Sequence, residues 1–90
     1  MPELEITVQH EAGLHLRPAA MFVQKAAAFS SDIKVRNVTT DKGFQNAKSI
    51  MSVTLLGVKK GHTVEIKAEG DDAKEAIAAL KELIESNFGE

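Results

Sequence analysis

A histidine and an arginine lie two positions apart near the start of the chain, in the stretch GLHLRPAA of residues 13–20. Pro18 follows them, and proline is favoured in the first turn of a helix, where its missing N–H is not needed. His15 and Arg17 are therefore predicted to lie at the amino-terminal end of a helix. The free N–H groups and the macrodipole at such an end attract anions.

These residue types suit the transient binding of a phosphoryl group. The positive end of a helix disfavours a protonated imidazole at His15, and the neutral imidazole is the nucleophilic form. Arg17 is always charged, and its planar guanidinium can donate two hydrogen bonds to phosphoryl oxygens. A histidine near a helix start is, however, more often a capping or surface residue, so the spacing alone leaves both roles open.

Length and composition restrict the class of protein. The chain has 90 residues, of which 43% are hydrophobic and 27% are charged, as expected for a single globular domain spanning residues 1–90. It contains no cysteine, which favours a reducing compartment, and no apolar run approaches the ~20 residues of a membrane span. No secretory signal is visible. We therefore expect a cytoplasmic protein that does not insert into membranes and needs to be no more than a monomer.

Charge is distributed unevenly along the chain. The net charge is -2, which argues against nucleic-acid binding, but residues 1–16 carry -3, residues 17–67 carry +6 and residues 68–90 carry -5. The region after His15 would suit an anionic ligand or an acidic protein surface, although an ordinary solvated surface explains the asymmetry equally well.

The sequence contains no cluster of metal ligands, no glycine-rich phosphate loop and no pair of catalytic carboxylates, so no metal or cofactor is expected. The two remaining histidines, His10 and His62, have no partners at ligand spacing and are predicted to lie at the surface.

Hydrophobic periodicity predicts four strands and three helices in the order β-α-β-β-α-β-α. Alternating apolar residues predict strands around Ile6, Ile33 and Val64, and a short third strand is predicted at Phe44. The last helix has the clearest apolar stripe, formed by Ala73, Ala76, Ile77, Leu80, Leu83 and Ile84. The predicted fold is α+β, a two-layer open-faced sandwich in which three helices cover one face of a mostly antiparallel sheet with a split βαβ connection.

Ser49 is predicted to cap a short helix that ends near Gly57. A helix this short cannot bury all of its large apolar residues, which are Ile50, Met51, Leu55 and Leu56. We expect Val53 and Leu56 to pack inward, with Ile50 and Met51 at the surface beside Lys48, as in a transient interface. Met51 as core filler is the alternative.

Two segments, GLHLRPA at residues 13–19 and KSIM at residues 48–51, resemble the HPr family. These are the histidine-containing phosphocarrier proteins of the bacterial phosphoenolpyruvate-dependent sugar phosphotransferase system. The resemblance extends over essentially the whole chain, including its length and its order of elements. It implies a carrier rather than an enzyme.

The resemblance also implies residue roles. His15 would accept a phosphoryl group from enzyme I, which phosphoenolpyruvate charges, and would donate it to the IIA domains of sugar permeases. Arg17 would stabilise the phosphoryl charge with backbone N–H groups of residues 16 and 17.

A regulatory role for Ser49 is implied as well. It matches the serine that an ATP-dependent HPr kinase/phosphorylase modifies, which would link the chain to a catabolite-control transcription factor. The partner interface is expected to contain Met21, Gln24, Lys48, Ile50 and Met51.

Three features depart from the family pattern. Leu16 replaces a residue that is usually small or hydroxylated, Ala12 replaces a frequent Ser or Asn, and the segment 38–44 is longer than usual, which we interpret as an enlarged loop away from the site. Two other functions stay open. One is a regulatory paralogue in nitrogen or catabolite control, although KSIM favours the carbon-linked branch. The other is a small anion- or protein-binding module without phosphoryl transfer. In such a system the specificity for individual sugars would lie in the permease domains.

Overall fold

The computed structural model describes residues 2–89, which form a four-stranded sheet and three helices. In chain order the elements are β1 Glu3–Thr7, α1 Leu16–Ala27, β2 Asp32–Asn37, β3 Gln45–Asn46, α2 Ile50–Leu55, β4 Thr63–Glu69 and α3 Ala73–Glu85, followed by a single 3-10 turn, Asn87–Gly89. The predicted order of strands and helices is confirmed.

The sheet has the strand order β1-β4-β2-β3, and every neighbouring pair is antiparallel. Ile66 of β4 lies opposite Leu4 of β1 on one side and Val35 of β2 on the other. Since β1 and β2 both run antiparallel to β4, they are parallel to each other, and α1 connects them across the strand between. This is the predicted split βαβ arrangement.

The core lies between one face of the sheet and the helices. Successive residues of a strand point to opposite faces, and in β2 and β4 the apolar residues of the alternation are buried whereas Lys34 and Glu65 between them are more exposed. The buried strand residues pack with apolar residues of all three helices, in a cluster that includes Phe22, Ala26, Ile33, Val35, Val53, Val64, Ile66, Ala76, Leu80 and Ile84. The predicted apolar stripe of α3 therefore faces the core, with Ile77 and Leu83 half-buried at its border.

A carboxylate joins the end of α1 to the start of α3. Asp72 accepts hydrogen bonds from the backbone N–H groups of Ser30 (2.9 Å) and Ser31 (3.0 Å) and from both serine hydroxyls. The hydrogen bond from the Ser31 hydroxyl is the largest of the contacts that lower the pKa of Asp72 to about 2. Asp72 precedes α3 directly, but its side chain makes no capping bond to that helix.

Two predictions about aromatic and imidazole rings are wrong. Phe44 lies just before β3 rather than on it, and its ring packs on the outer face of the sheet, 5.6 Å from the Arg36 guanidinium and 4.9 Å from the Lys67 ammonium. His10 is only 8% exposed and contacts Phe88 edge-to-face, with 5.6 Å between ring centroids. His62 is half-buried. His10 and Phe44 thus contact residues distant in sequence, Phe88 and Lys67 respectively.

Candidate functional site

His15 occupies the N-cap of α1, as predicted. Its backbone is extended (φ -114°, ψ 152°), and its exposed side chain makes no capping hydrogen bond. Arg17 is exposed in the first turn, which contains no acidic residue, and Pro18 beside it is buried. The helix dipole and the guanidinium therefore place positive charge next to the imidazole without a neighbouring carboxylate in that turn.

Leu16, between the two, combines an unusual backbone with an exposed side chain. Its φ is +47°, in the left-handed region that costs a residue with a Cβ about 1 kcal/mol, and its side chain is 86% exposed. The departure from a small residue at this position therefore adds apolar surface directly beside His15.

The loop before His15 is held in place by hydrogen bonds that its backbone N–H groups donate. Gly13 has φ +61° and donates from its N–H to the carbonyl of His10 at 2.9 Å, while the N–H of Ala12 donates to Nδ1 of His10 at 3.1 Å. Leu14 is buried, and its N–H donates to the carbonyl of Val58 at 3.0 Å. The backbone of residues 12–14 is therefore held by hydrogen bonds to His10 and to Val58 directly before His15.

An ion pair lies on the outer side of the same loop. Glu11 Oε1 accepts from Lys60 Nζ at 2.8 Å, and this hydrogen bond and the lysine charge lower the pKa of the Glu11 carboxyl. Both side chains are exposed, so the pair stabilises the fold only weakly.

Ser49 is the N-cap of α2, as predicted. Its backbone is extended (φ -115°, ψ 120°), and its hydroxyl accepts a hydrogen bond from the N–H of Ser52 at 3.3 Å. At the opposite end of the same helix, Lys42 Nζ donates to the carbonyl of Leu55 at 3.3 Å. The segment 38–44, which is expected to lie away from the site, contacts α2 at Leu55, the end of the helix remote from Ser49.

Large apolar side chains are exposed at the start of α1 and along α2. Val53 and Leu56 are buried, as predicted, whereas Ile50 is 46% and Met51 is 71% exposed. Leu55, which is not among the predicted interface residues, is also 64% exposed. We call Leu16, Ile50, Met51 and Leu55 the apolar surface. Crowding on a short helix was the signal for Leu55, but the face it occupies depends on the packing of α2.

The other predicted interface residues lie on or near α1, which packs against α2. Met21 and Gln24 line a shallow groove of about 320 Å³ with Lys25, Ala28 and Leu83. Lys48 Nζ donates to the carbonyl of Phe29 at 2.7 Å, so its ammonium is held at the far end of α1. The predicted interface residues therefore lie in two places. Met21 and Gln24 lie on α1, and Lys48, Ile50 and Met51 lie at or just before the start of α2.

Other kinds of site are not found in the described part of the chain. Residues 2–89 contain no group of three or more histidines, cysteines or carboxylates arranged to hold a metal ion. Within the same range, each helix is too short or too polar to cross a membrane.

The structure is a split βαβ sandwich with an exposed histidine at the N-cap of its first helix. Residues 2–86 match the family described as "PTS HPr component phosphorylation site". The chain belongs to the HPr family, the phosphocarrier proteins of the phosphotransferase system.

Solved and curated relatives agree with this assignment. The structure of HPr from Thermoanaerobacter tengcongensis is 53% identical and superposes with a TM-score of 0.94, covering 100% of this chain and 98% of that one. The phosphocarrier protein HPr of Vibrio cholerae is 44% identical over 94% of this chain and 96% of its own length. The multiphosphoryl transfer protein of Haemophilus influenzae is 42% identical over 93% of this chain, which spans only 17% of that protein. Similar sequences thus occur both as a free carrier and as a segment of a longer protein.

Proposed function

We propose that this chain works as one phosphocarrier domain, residues 1–90, in which His15 is the phosphoryl acceptor. The observation that carries the proposal is the exposed His15 at the N-cap of α1, next to Arg17, in a segment that matches a phosphorylation-site family. A nitrogen of the neutral imidazole attacks phosphorus. The new phosphorus–nitrogen bond forms as the bond between phosphorus and the donor breaks.

The surroundings of His15 suit both acceptance and release of the phosphoryl group. Arg17 donates hydrogen bonds to the phosphoryl oxygens, and the free N–H groups of the first turn point toward the same charge. These groups are exposed, so they stabilise the phosphorylated state without burying it. A carrier needs a phosphoryl group that a partner can remove, and an exposed site meets that requirement.

The partners in this proposal are enzyme I as donor and the IIA domains of sugar permeases as acceptors, and the location is the cytoplasm. Docking uses the apolar surface together with Met21, Gln24 and Lys48. An exposed apolar patch with a polar rim is typical of interfaces that form and separate repeatedly. The exposure of Met51 and Leu16 supports this assignment, since neither side chain contributes to the core.

Ser49 is proposed as a regulatory phosphorylation site for an ATP-dependent HPr kinase/phosphorylase, read out by a catabolite-control transcription factor. A phosphate at the N-cap of α2 is compatible with the helix dipole. It adds negative charge next to Ile50 and Met51, which must be desolvated when a partner docks. Phosphorylation of Ser49 would therefore weaken docking without unfolding the chain.

One labelling experiment tests the proposed function. The purified chain is incubated with enzyme I and phosphoenolpyruvate labelled in its phosphoryl group. We expect stoichiometric label that is lost in acid and retained in base, as a phosphohistidine requires. A chain that takes no label, or takes a label that survives acid, is not a phosphocarrier of this kind.

A further inference from the structure

The turn between α2 and β4 holds the loop that leads to His15. In this turn the carbonyl of Lys59 accepts from the N–H of His62 at 2.9 Å, and Gly61 has φ +90°, as a type II turn requires at its third residue. Two further backbone hydrogen bonds, each 2.8 Å long, join Gly61 and His62 to Val8. The turn is therefore paired with the chain directly after β1.

The same turn supports the end of the loop. The carbonyl of Val58 accepts from the N–H of Leu14, the residue before His15. Gly13 lies so close to the carbonyl oxygen of Val58 that a Cβ would not fit between them. The position of residues 58–62 thus determines where the chain enters α1.

The imidazole ring of His62 makes hydrogen bonds that stabilise this turn. Its Nδ1 lies 3.1 Å from the backbone nitrogen of Lys59 and 3.1 Å from the side-chain nitrogen of Asn37. A backbone N–H only donates, so Nδ1 of His62 must accept and carries no proton in this arrangement.

The orientation of Asn37 is fixed independently. Its side chain is fully buried, its Oδ1 accepts from the N–H of Thr40 at 3.3 Å, and its Nδ2 donates to the carbonyl of Leu56 at 3.1 Å. The second hydrogen on Nδ2 is therefore available for His62 Nδ1. Two donors on Nδ1 place the ring proton of His62 on Nε2.

We infer that His62 is a positioning residue for phosphoryl transfer at His15. It acts through its unprotonated Nδ1, which links the buried Asn37 to the N–H of Lys59 and holds the turn against Gly13 and Leu14. Removal of this acceptor leaves two donors without a partner, one of them in the turn itself. The turn then relaxes, and the N-cap of α1 moves with it. This inference rests on the proposed function of His15.

The tautomer of the unaltered chain is the first measurement. Nitrogen NMR of the His62 ring is expected to show an unprotonated Nδ1 and a protonated Nε2. Scalar coupling across the hydrogen bond between the Lys59 N–H and Nδ1 is also expected. A protonated Nδ1 in the folded, unaltered chain at neutral pH would overturn the inference. Because this measurement involves no substitution, a folding defect of a variant does not affect its result.

Variants of His62 supply the second measurement. His62→Asn keeps an acceptor near the position of Nδ1, whereas His62→Leu removes it and His62→Gln moves its amide acceptor one bond farther out, away from that position. In transfer from enzyme I, we expect His62→Leu to lower kcat about ten-fold, since small misplacements of a reacting group are costly, with KM for the carrier unchanged. His62→Asn is expected to restore most of kcat. If His62→Leu does not fold, His62→Gln takes its place in the comparison.

Asp72→Asn is the control for stability, because it weakens a contact that is separate from the loop before His15. A kcat in His62→Leu that is no lower than in an equally destabilised Asp72→Asn would overturn the inference. So would a failure of His62→Asn to exceed His62→Leu. Phosphoramidate, a small phosphoryl donor that needs no partner protein, separates this result from the proposed function. If enzyme I does not label the unaltered chain, the proposed function fails. The role of His62 in positioning the loop is then still decided by two measurements, the amide resonances of Leu14 and His15 and the rate with phosphoramidate.

Discussion

The backbones of Gly13 and Val58 lie in direct contact. Gly13 is two residues before His15, the histidine that we propose as the phosphoryl acceptor. A Cβ built on Gly13 would collide with the carbonyl of Val58 and would lie 2.8 Å from the Cα of Lys59. Gly13 also has φ +61°, which L-residues with a Cβ rarely adopt. This close contact between the Gly13 and Val58 segments fixes the position of the residues that precede α1.

The first prediction follows from this contact. Gly13→Ala introduces both a collision and a strained backbone, so we expect the free energy of unfolding to fall by about 2 kcal/mol. Transfer to His15 should slow as well, because the loop must move to make room. Gly43→Ala is the matched control, since a Cβ there meets nothing within 4 Å. Urea denaturation of the two variants checks the prediction, and equal stabilities would contradict it.

The second prediction concerns acid. Hydrogen bonds, first from the Ser31 hydroxyl, lower the pKa of Asp72 from 3.8 to about 2 in the folded state. The charged carboxylate therefore stabilises the fold at pH values above the unfolded pKa, and this contribution is lost as pH falls from about 4 toward 2. We expect the difference in melting temperature between the unaltered chain and Asp72→Asn to shrink over that interval. Asp71→Asn, an exposed neighbour, should show no such change. A difference that is constant with pH would contradict the role of Asp72.

The third prediction separates the two roles of Ser49. Ser49→Ala removes the capping hydrogen bond without adding charge, so it should lower stability by about 1 kcal/mol and leave partner affinity unchanged. Ser49→Asp keeps a capping oxygen and adds negative charge beside Ile50 and Met51. It should preserve the melting temperature and weaken the binding of enzyme I, with a smaller effect at high salt. Calorimetric titration at two salt concentrations measures this. Unchanged affinity in Ser49→Asp would leave Ser49 as a structural cap only.

Local sequence signals predicted most of the fold. The alternation in β2 and β4, the stripe of α3 and the proline in α1 each describe one element by itself, and each was confirmed. The caps of α1 and α2 were also found, because a cap depends on residues within one turn of the chain.

Long-range contacts could not be predicted in the same way. Asp72 is the N-cap of α3, where an aspartate commonly caps its own helix, but its carboxylate accepts hydrogen bonds from Ser30 and Ser31 instead. His10 packs on Phe88, which reaches the core because Asn87 and Phe88 both adopt positive φ. No local pattern marks such contacts, since each joins segments that only the completed fold brings together.

The candidate site shows the same division. Its N-cap position and its neighbouring arginine were predictable from GLHLRPAA. The support from residues 58–62 was not, because its backbone hydrogen bonds carry no sequence signature and the ring of His62 meets Asn37 only in the completed fold. The exposure of Leu55 likewise depends on how α2 rotates against the core.

The most direct measurement of the central claim uses His15→Ala in the labelling reaction with enzyme I and phosphoenolpyruvate. The side chain of His15 is exposed and makes no capping hydrogen bond, so the variant should keep the melting temperature of the unaltered chain. We predict that it takes no acid-labile label, while the folded chain with His15 takes one phosphoryl group per molecule. A folded His15→Ala variant that still acquires acid-labile label would show that another residue is the acceptor.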